Sequence, residues 1–164
     1  MQKRGGLGLR STIDVHNFLQ TENIAHEFYK MPHSARSAAG VAAVLGLDIA
    51  QVAKAIVFLA DDEKPLMAVI PGNTKVDQQK LKKVVDAKKL RLATPEQIVE
   101  LTGYLIGATP PVALAKEMPV YIDLHALREE VLYIGGGEPN SILKIRSYDL
   151  VRIVEGDIVD IIRT

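Results

Sequence analysis

Apolar residues recur every three or four positions in several short segments of the chain, and each segment starts beside a side chain that can cap a helix. Ser, Thr and Asp side chains accept hydrogen bonds from the first N–H groups of a helix, so they mark predicted helix starts. The predicted starts are Thr12, Ser37, Asp48, Asp77, Thr94 and Ser147. Thr94 is the clearest because Pro95 occupies the first turn and Gln97 completes a capping box. Gly46 is expected to end the second helix.

Continuous or alternating apolar runs between these helices predict short strands. Residues 55–60 form an unbroken apolar run, and residues 66–70 return after a polar turn. The other predicted strands are residues 28–32, 90–92, 120–122, 131–134, 142–145 and 158–162. Because several strands are adjacent in sequence and helices are mixed among them, we predict a single α+β domain with a mixed, largely antiparallel sheet. We assign this domain to residues 11–164, after a flexible arm at residues 1–10.

The composition excludes several classes of function. The 164 residues are 48% hydrophobic and 24% charged, which fits a soluble globular domain with a sizeable core. Twenty basic residues balance twenty acidic ones, and no apolar run reaches the ~20 residues that span a bilayer, so we expect neither DNA nor a membrane as a partner. The absence of cysteine excludes disulfides and thiolate chemistry and agrees with a cytoplasmic protein. Residues 1–10 are basic and lack the apolar core of a signal peptide, and contact with RNA is the alternative to a plain arm.

Several motifs that would identify a chemistry are missing from the sequence. The chain has no phosphate-binding Gly-x-x-x-x-Gly-Lys motif and no nucleophilic serine in a Gly-x-Ser-x-Gly turn. Its four histidines lack the i, i+4 spacing of a helical metal pair, and no cysteine supplements them. We therefore expect no metal site and no cofactor.

The most informative segment is a loop rich in glycine and proline at residues 102–111. Both residue types disfavour regular helix, so the segment is predicted to be a rigid turn with exposed N–H groups. The N–H groups near Gly107 and Ala108 are candidates to bind a carbonyl oxygen or a developing oxyanion. The two prolines, Pro110 and Pro111, would limit reorganisation of the loop. A purely structural turn between a helix and a strand is the alternative.

Lys54 lies where a short helix gives way to the buried strand. A cation there can contact a phosphate or an ester oxygen at the edge of a cavity, whereas a surface lysine at a helix C-terminus is the alternative. His33, with Ser34 and Ser37 nearby, is a conceivable base because histidine is the side chain that most often changes charge near neutral pH. No residue at a fixed spacing orients His33, so an ordinary surface loop is the alternative.

Two further segments allow both a structural and a functional interpretation. Three consecutive glycines, Gly135 to Gly137, indicate either a flexible hairpin or close approach of the backbone to a ligand. A basic run predicts either a solvated helix face or a patch that contacts phosphates without reading sequence. It comprises Lys75, Lys80, Lys82, Lys83, Lys88, Lys89 and Arg91, of which Lys80, Lys83 and Lys88 are the candidate RNA contacts. No aromatic residues are interleaved, which argues against a platform for stacked bases.

The order of several segments resembles the YbaK/ProX family of aminoacyl-tRNA editing domains, which includes the editing domain inserted in bacterial prolyl-tRNA synthetases. The matching segments are residues 37–46, 52–58, 92–111, 120–123, 133–137 and 145–150. The part from Leu92 to Pro111 is the most specific, and the likeness extends roughly from Thr12 to Ile162. The resemblance implies an α+β fold with a barrel-like sheet flanked by helices.

The resemblance also implies a hydrolase that acts in trans and removes a wrong amino acid, such as cysteine or alanine, from tRNA-Pro. Lys54 would lie near the terminal adenosine and its phosphate, and the backbone at Gly107 and Ala108 would bind the aminoacyl carbonyl. Phe28 and Ser37 would gauge the size of the side chain. The other substrate-binding candidates are His33, Thr109, Pro110, Pro111, Gly135, Gly136 and Gly137. The implied partners are aminoacyl-tRNA and, beside it, prolyl-tRNA synthetase or the elongation machinery. A hydroxyl or thiol of the substrate would assist in place of a protein base.

The sequence departs from the family pattern at three places. Ala108 stands where the family often has a second glycine, and Val112 follows the prolines where a glycine is common. Glu138, Pro139 and Asn140 follow the three glycines in place of the basic residue and glycine typical of cysteine-specific members. The amino acid removed is therefore open between cysteine, alanine and another small residue. Two alternative functions are a binding module of the same fold without turnover and an interaction domain that uses the basic helix.

Overall fold

The computed structural model describes residues 8–164, so most of the predicted arm lies outside the described residues. Helices α1 to α5 span Thr12–Thr21, Ala38–Leu45, Gln78–Val85, Pro95–Thr102 and Ser147–Val154. Strands β1 to β8 span His26–Lys30, Ala53–Ala60, Lys64–Pro71, Leu90–Leu92, Val120–Asp123, Val131–Gly135, Ser141–Arg146 and Asp157–Val159. Single 3₁₀ turns lie at Ile49–Gln51, Asp61–Glu63 and Ala126–Arg128. None of the described helices has the length and apolar character needed to cross a membrane.

The strands form two sheets. The larger has the order β4-β2-β3-β5-β8, in which β2 pairs antiparallel with β3 and β4, while β5 pairs parallel with β3 and β8. The smaller has the order β1-β7-β6 and is antiparallel throughout. A single bridge between Val52 and Tyr133 connects their edges. The predicted α+β class with a mixed, largely antiparallel arrangement is confirmed, but the barrel-like closure is wrong, because the strands divide into two sheets instead of closing one.

Alternation of side chains along the central strands divides the core into two parts. Val57 of β2 and Met67 of β3 belong to the main core, together with buried residues of the smaller sheet such as Leu132. Helices α1, α4 and α5 also contribute to this core. Phe58, the next residue on β2, points to the other face and packs in a second core with Leu81 of α3. The larger sheet is therefore covered on both faces, which accounts for the unbroken apolar run at residues 55–60.

Local capping chemistry explains most helix boundaries. Ser37 accepts a hydrogen bond from the Gly40 N–H, and Gly46 ends α2 with a φ of 67°. Thr94 and Gln97 form the predicted capping box of α4. Two predicted caps are displaced, since the cap positions of α1 and α5 belong to Ser11 and Arg146 in place of Thr12 and Ser147. The Ser147 hydroxyl instead donates to the Glu129 carbonyl at 2.7 Å, and this tertiary contact removes it from the capping role.

Candidate functional site

A cavity of about 380 Å³ lies at the beginning of α2, between the first residues of β2 and the two glycine-rich loops. Its charged lining residues are Arg36 and Lys54. None of the described residues that line it is an aspartate, glutamate or histidine. The cavity therefore has a positive wall without a built-in counter-charge, which suits a ligand that carries a phosphate or another anionic group.

Lys54 is the second residue of β2, where it pairs with Ile70 of β3, and its side chain is half-buried. No described residue forms a hydrogen bond or ion pair with its ammonium group. Burial lowers the pKa of Lys54 from its ordinary value, and the nearby positive charge of Lys75 lowers it further. A partly desolvated cation without a partner is unfavourable in the free protein and would be stabilised by an anionic ligand.

The glycine–proline loop forms another wall of this cavity. Helix α4 ends at Gly103 with a φ of 87°, and the chain then makes a turn in which the Ala108 N–H donates to the Leu105 carbonyl at 3.0 Å. Gly107 has a φ of 82°, and nothing lies within 4 Å of the position that a β-carbon would occupy. The Gly107 N–H has no hydrogen-bond partner among the described residues. Of the two predicted donors, the turn uses the Ala108 N–H and leaves that of Gly107 open.

The rest of the loop is packed into the protein. Thr109 is buried, lines the cavity and donates its hydroxyl to the Leu105 carbonyl at 3.3 Å. Pro110 and Pro111 are buried too, and Pro111 lines a different cavity of about 780 Å³. The structure thus places Thr109 at the candidate site and gives the prolines a supporting position behind it.

Two of the three glycines at the end of β6, Gly135 and Gly137, contact this loop directly. A β-carbon on Gly135 would lie 2.6 Å from the Thr109 carbonyl oxygen, closer than real contacts allow. Gly137 donates its N–H to the Ala108 carbonyl at 2.9 Å. Gly136 packs against Ser141 and, like Gly137, does not line the cavity. These glycines therefore allow close packing within the protein, and of the three only Gly135 lines the cavity.

Three predicted substrate contacts are dispersed. Ser37 lines the cavity, although its hydroxyl already caps α2. His33 is exposed outside the cavity lining, with its Nδ1 atom 3.2 Å from the Asn140 side-chain nitrogen. Phe28 lines a separate cavity, where its ring lies edge-on to that of His26 at a centroid distance of 5.5 Å. The structure brings Ser37 to the site and does not bring His33 or Phe28 there.

The basic run lies outside the cavity, and the side chains of two of its members, Lys80 and Arg91, contact nearby acceptors. The Lys80 ammonium contacts Asp160 at 3.2 Å and donates to the Ile162 carbonyl at 3.0 Å. The backbone N–H of Lys88 donates to the carboxylate of Asp61. Lys83 is exposed on α3. Of the three candidate RNA contacts, Lys83 and Lys88 have side chains without a partner among the described residues, whereas Lys80 is paired.

Sequence reasoning missed several lining residues. Arg36 precedes the cap of α2, and its position one residue before Ser37 was the available signal. Gly72 also lines the cavity. A larger residue there would crowd α2, because its β-carbon would lie 2.7 Å from that of Ala38. An apolar wall was also missed, since its members read as ordinary core positions. It consists of Ala38, Val41, Val52 and Ile142, which pack in one cluster.

One cluster of potential metal ligands lies elsewhere in the described part of the chain. Asp123, His125 and Asp160 place ligand atoms within 4.8 Å of one another. Asp123 is fully buried, and its two oxygens already accept hydrogen bonds from the Ile161 N–H and from the His125 N–H and ring. These bonds give Asp123 a structural role in fixing the chain after β5 and β8.

Comparison with known proteins connects this site to a family. The family model for the aminoacyl-tRNA editing domain matches residues 33–153. EbsC of Enterococcus faecalis, named as a candidate Cys-tRNA(Pro)/Cys-tRNA(Cys) deacylase, is 26% identical over 76% of each chain. The proline–tRNA ligase of Solidesulfovibrio magneticus is 39% identical over 51% of this chain, a stretch that makes up 14% of the ligase.

Solved structures extend the likeness to nearly the whole fold. A candidate trans-editing enzyme for prolyl tRNA synthetase superposes with a TM-score of 0.87 at 27% identity, over 93% of this chain and 97% of that one. The hypothetical protein APE2540 superposes with a TM-score of 0.85 at 27% identity, over 92% and 99%. The matched residues 33–153 make up most of the chain and contain every described residue that lines the cavity. The chain therefore belongs to the aminoacyl-tRNA editing domain family, and the resemblance to YbaK/ProX proteins is confirmed.

Proposed function

We propose that this protein is a trans-acting aminoacyl-tRNA deacylase, which hydrolyses the ester between a wrongly attached amino acid and the 3′ end of a tRNA. The observation that carries the proposal is a cavity lined by both Lys54 and Gly107, whose ammonium and N–H groups have no partner among the described residues, with no acidic side chain in its described lining. Membership of the editing-domain family supports it, as do the names of the relatives. The work of such a site is to position the ester and to polarise its carbonyl.

Each group has a distinct part in this chemistry. Lys54 binds the terminal phosphate or an ester oxygen. Pairing with the negative phosphate offsets the desolvation of the Lys54 ammonium group. The Gly107 N–H donates to the aminoacyl carbonyl and stabilises the oxyanion that forms when water attacks. One such donor typically contributes ~10²–10³-fold to the rate. The hydroxyls of Ser37 and Thr109 already hydrogen-bond the local backbone, so a hydroxyl of the terminal ribose serves to orient the water.

The apolar wall of the cavity favours a small, uncharged amino acid. Its volume of about 380 Å³ is near the lower end of the ~300–1,000 Å³ range of ligand sites. Ala38, Val41 and Val52 present no hydrogen-bonding side-chain atoms to the substrate. We therefore propose alanine or cysteine on tRNA-Pro as the group removed, in the cytoplasm and alongside prolyl-tRNA synthetase. The exposed Lys83 and Lys88 are candidates to contact the tRNA backbone.

Deacylation of a panel of mischarged tRNAs tests the proposal. Cys-, Ala- and Ser-tRNA-Pro, with Pro-tRNA-Pro as the correctly charged control, are incubated with the wild-type protein, with Lys54→Ala and with Lys64→Ala, which removes an exposed lysine at the start of β3, outside the cavity lining and the basic run. We expect hydrolysis of the cysteinyl or alanyl species by the wild type and by Lys64→Ala, and its loss in Lys54→Ala. No hydrolysis of any species by folded wild-type protein would reject the deacylase function.

A non-catalytic binding module of the same fold is the second candidate. The observation that favours it is the Ala108 N–H, which the Leu105 carbonyl occupies and which therefore leaves a single open donor for an oxyanion. In that case the wild type would bind a non-hydrolysable aminoacyl-adenosine analogue in a Lys54-dependent manner and would hydrolyse none of the panel. Binding and turnover together would reject this alternative.

A further inference from the structure

We propose that residues 10–12 act as a clasp that positions the two glycine loops of the site, which makes Arg10 and Thr12 positioning residues for the reaction. The assignment rests on the proposed deacylation and goes beyond it, because these residues precede the part of the chain that the family model matches. The segment was predicted to be the end of a flexible arm and the start of a helix. In the structure it contacts both loops through four hydrogen bonds.

Arg10 joins the two ends of the glycine–proline loop. Its backbone N–H donates to the Gly103 carbonyl at 2.8 Å, and its Nη1 atom donates to the Ala113 carbonyl at 3.0 Å. The buried Tyr104 hydroxyl donates to the same Ala113 carbonyl at 2.8 Å. Ala113 has a φ of 59°, which costs energy for a residue other than glycine, so these two donors hold a strained turn in place. Gly107 lies between the two anchored ends.

Thr12 holds the other loop. Its hydroxyl donates to the Gly136 carbonyl at 2.9 Å, and its backbone N–H donates to the Glu138 carboxylate at 3.0 Å. Gly137 packs so closely that a β-carbon on it would lie 3.1 Å from the Thr12 nitrogen. The second glycine loop is therefore fastened to the beginning of α1 by its backbone.

The two loops are also bonded to each other, so the three segments form a closed ring. Gly137 donates to the Ala108 carbonyl, and Gly135 lies against Thr109. A shift of the segment at Arg10 and Thr12 thus reaches Gly107 through both loops. Because a misplacement of ~1 Å can cost a reaction ~10²-fold, loosening the ring is expected to lower the rate more than it lowers substrate affinity.

A double variant, Arg10→Met with Thr12→Val, tests the clasp. Methionine keeps most of the aliphatic stem of Arg10, and valine keeps the shape of Thr12, while both side-chain donors are removed. The matched control is Arg10→Lys with Thr12→Ser, which retains a donor at each position. For the aminoacyl-tRNA that the wild type hydrolyses, we expect the Arg10→Met, Thr12→Val variant to have a kcat about 10-fold lower, with KM within about twofold of wild type. The control is expected to recover most of kcat.

Amide hydrogen exchange of the same proteins provides a readout that needs no activity. In the Arg10→Met, Thr12→Val variant, exchange in residues 103–113 and 135–138 is expected to be faster, while exchange in β2 and β3 stays as in wild type. Unchanged exchange in both loops, or an unchanged kcat beside a lower unfolding midpoint, would overturn the clasp. An inactive wild type whose loops still loosen in the variant would reject the deacylase function and leave the clasp supported.

Discussion

Two regions of the molecule carry lysines that the sequence marks as functional, and their surroundings differ. Lys54 lies half-buried in a cavity whose described lining includes Arg36 and no acid. Lys80 lies on the basic face of α3, where Asp160 and the Ile162 carbonyl occupy its ammonium group. Arg91, also part of the basic run but on β4, pairs with Glu63. Of Lys54 and Lys80, only Lys54 has an ammonium group with no partner among the described residues.

This difference shows that the number of cations in a region does not tell how many of them can bind a ligand. Asp160 and Glu63, which are distant in sequence, pair with Lys80 and Arg91 of the basic run, and exposed pairs of this kind are worth little to stability. A cation that is desolvated without a partner is unfavourable by itself, and its presence is easiest to explain by a ligand that pairs with it. The comparison therefore favours the cavity as the site of chemistry and leaves the α3 face, at most, a contribution to tRNA affinity.

The largest expected effect comes from removing each lysine in turn. Lys54→Ala is expected to lower kcat/KM for the mischarged tRNA by ~10²-fold or more, since it deletes the free cation beside the reacting ester. Lys80→Ala is expected to change kcat/KM by less than about threefold, because that ammonium group is already paired. Steady-state deacylation of both variants at one salt concentration makes the measurement. A comparable loss in both would mean that the pairing of Lys80 does not limit its use.

A second prediction concerns the close contact between the glycine loops. Gly135→Ala places a β-carbon 2.6 Å from the Thr109 carbonyl oxygen, so the loop that lines the cavity has to move. We expect a loss of ~1–3 kcal/mol in the free energy of unfolding and a fall in kcat of at least tenfold. Gly156→Ala is the control, as its β-carbon would lie 2.9 Å from Ile122 Cδ1, the flexible end of a side chain. Chemical denaturation and deacylation assays on both variants decide the matter, and equal effects would show that Gly135 has no special relation to the site.

Local signals in the sequence predicted the helices well. Ser37 with Gly46 and Thr94 with Gln97 set the ends of α2 and the start of α4, because a cap depends on residues within one turn. The arrangement of strands was less accessible. His26 pairs with Ile145, and only tertiary structure decides such distant pairings, so one barrel-like sheet was predicted in place of two.

The candidate site divides in the same way. Lys54 and Gly107 were predicted from their positions between a helix and a strand and in a glycine–proline turn, and Thr109 from the family resemblance; all three line the cavity. Arg10 was assigned to a flexible arm, although its contacts with Gly103 and Ala113 tie it to the loop. Such contacts bridge about a hundred residues, and no local pattern encodes them. The sequence likewise could not show that Lys80 pairs with Asp160 while Lys54 has no partner within residues 8–164, because both depend on where distant carboxylates lie.

A smaller effect is expected from Lys75, whose charge acts on Lys54. Lys75→Met is expected to raise the pKa of Lys54 part of the way to its ordinary value, because burial, the larger cause of the depression, remains. With a depressed pKa, the unfolded chain binds more protons than the folded one between the folded and ordinary pKa values of Lys54, so stability rises with pH across that window. In Lys75→Met the folded-state pKa of Lys54 lies closer to its ordinary value, so the pH range over which stability rises becomes narrower. NMR titration of the Lys54 side chain in Lys75→Met and in Lys83→Met, the control, tests this, and equal titrations in both would exclude the coupling.

The smallest effect is expected from Asp160→Asn, which would leave the Lys80 ammonium group without its carboxylate partner. Asp160→Asn removes the carboxylate that contacts Lys80 at 3.2 Å, and because the pair is on the surface we expect a loss of less than ~1 kcal/mol in the free energy of unfolding. The freed cation can then neutralise a phosphate, so the slope of log K against log salt for tRNA binding should steepen by ~0.7–0.9. Fluorescence anisotropy at several potassium chloride concentrations measures that slope.

In the wild-type background Lys80→Ala should leave the slope unchanged, whereas in the Asp160→Asn background it should return the slope to the wild-type value. If Lys80→Ala already reduces the slope of the wild type, tRNA displaces Asp160 on binding, and the charge of the α3 face is available despite its pairing.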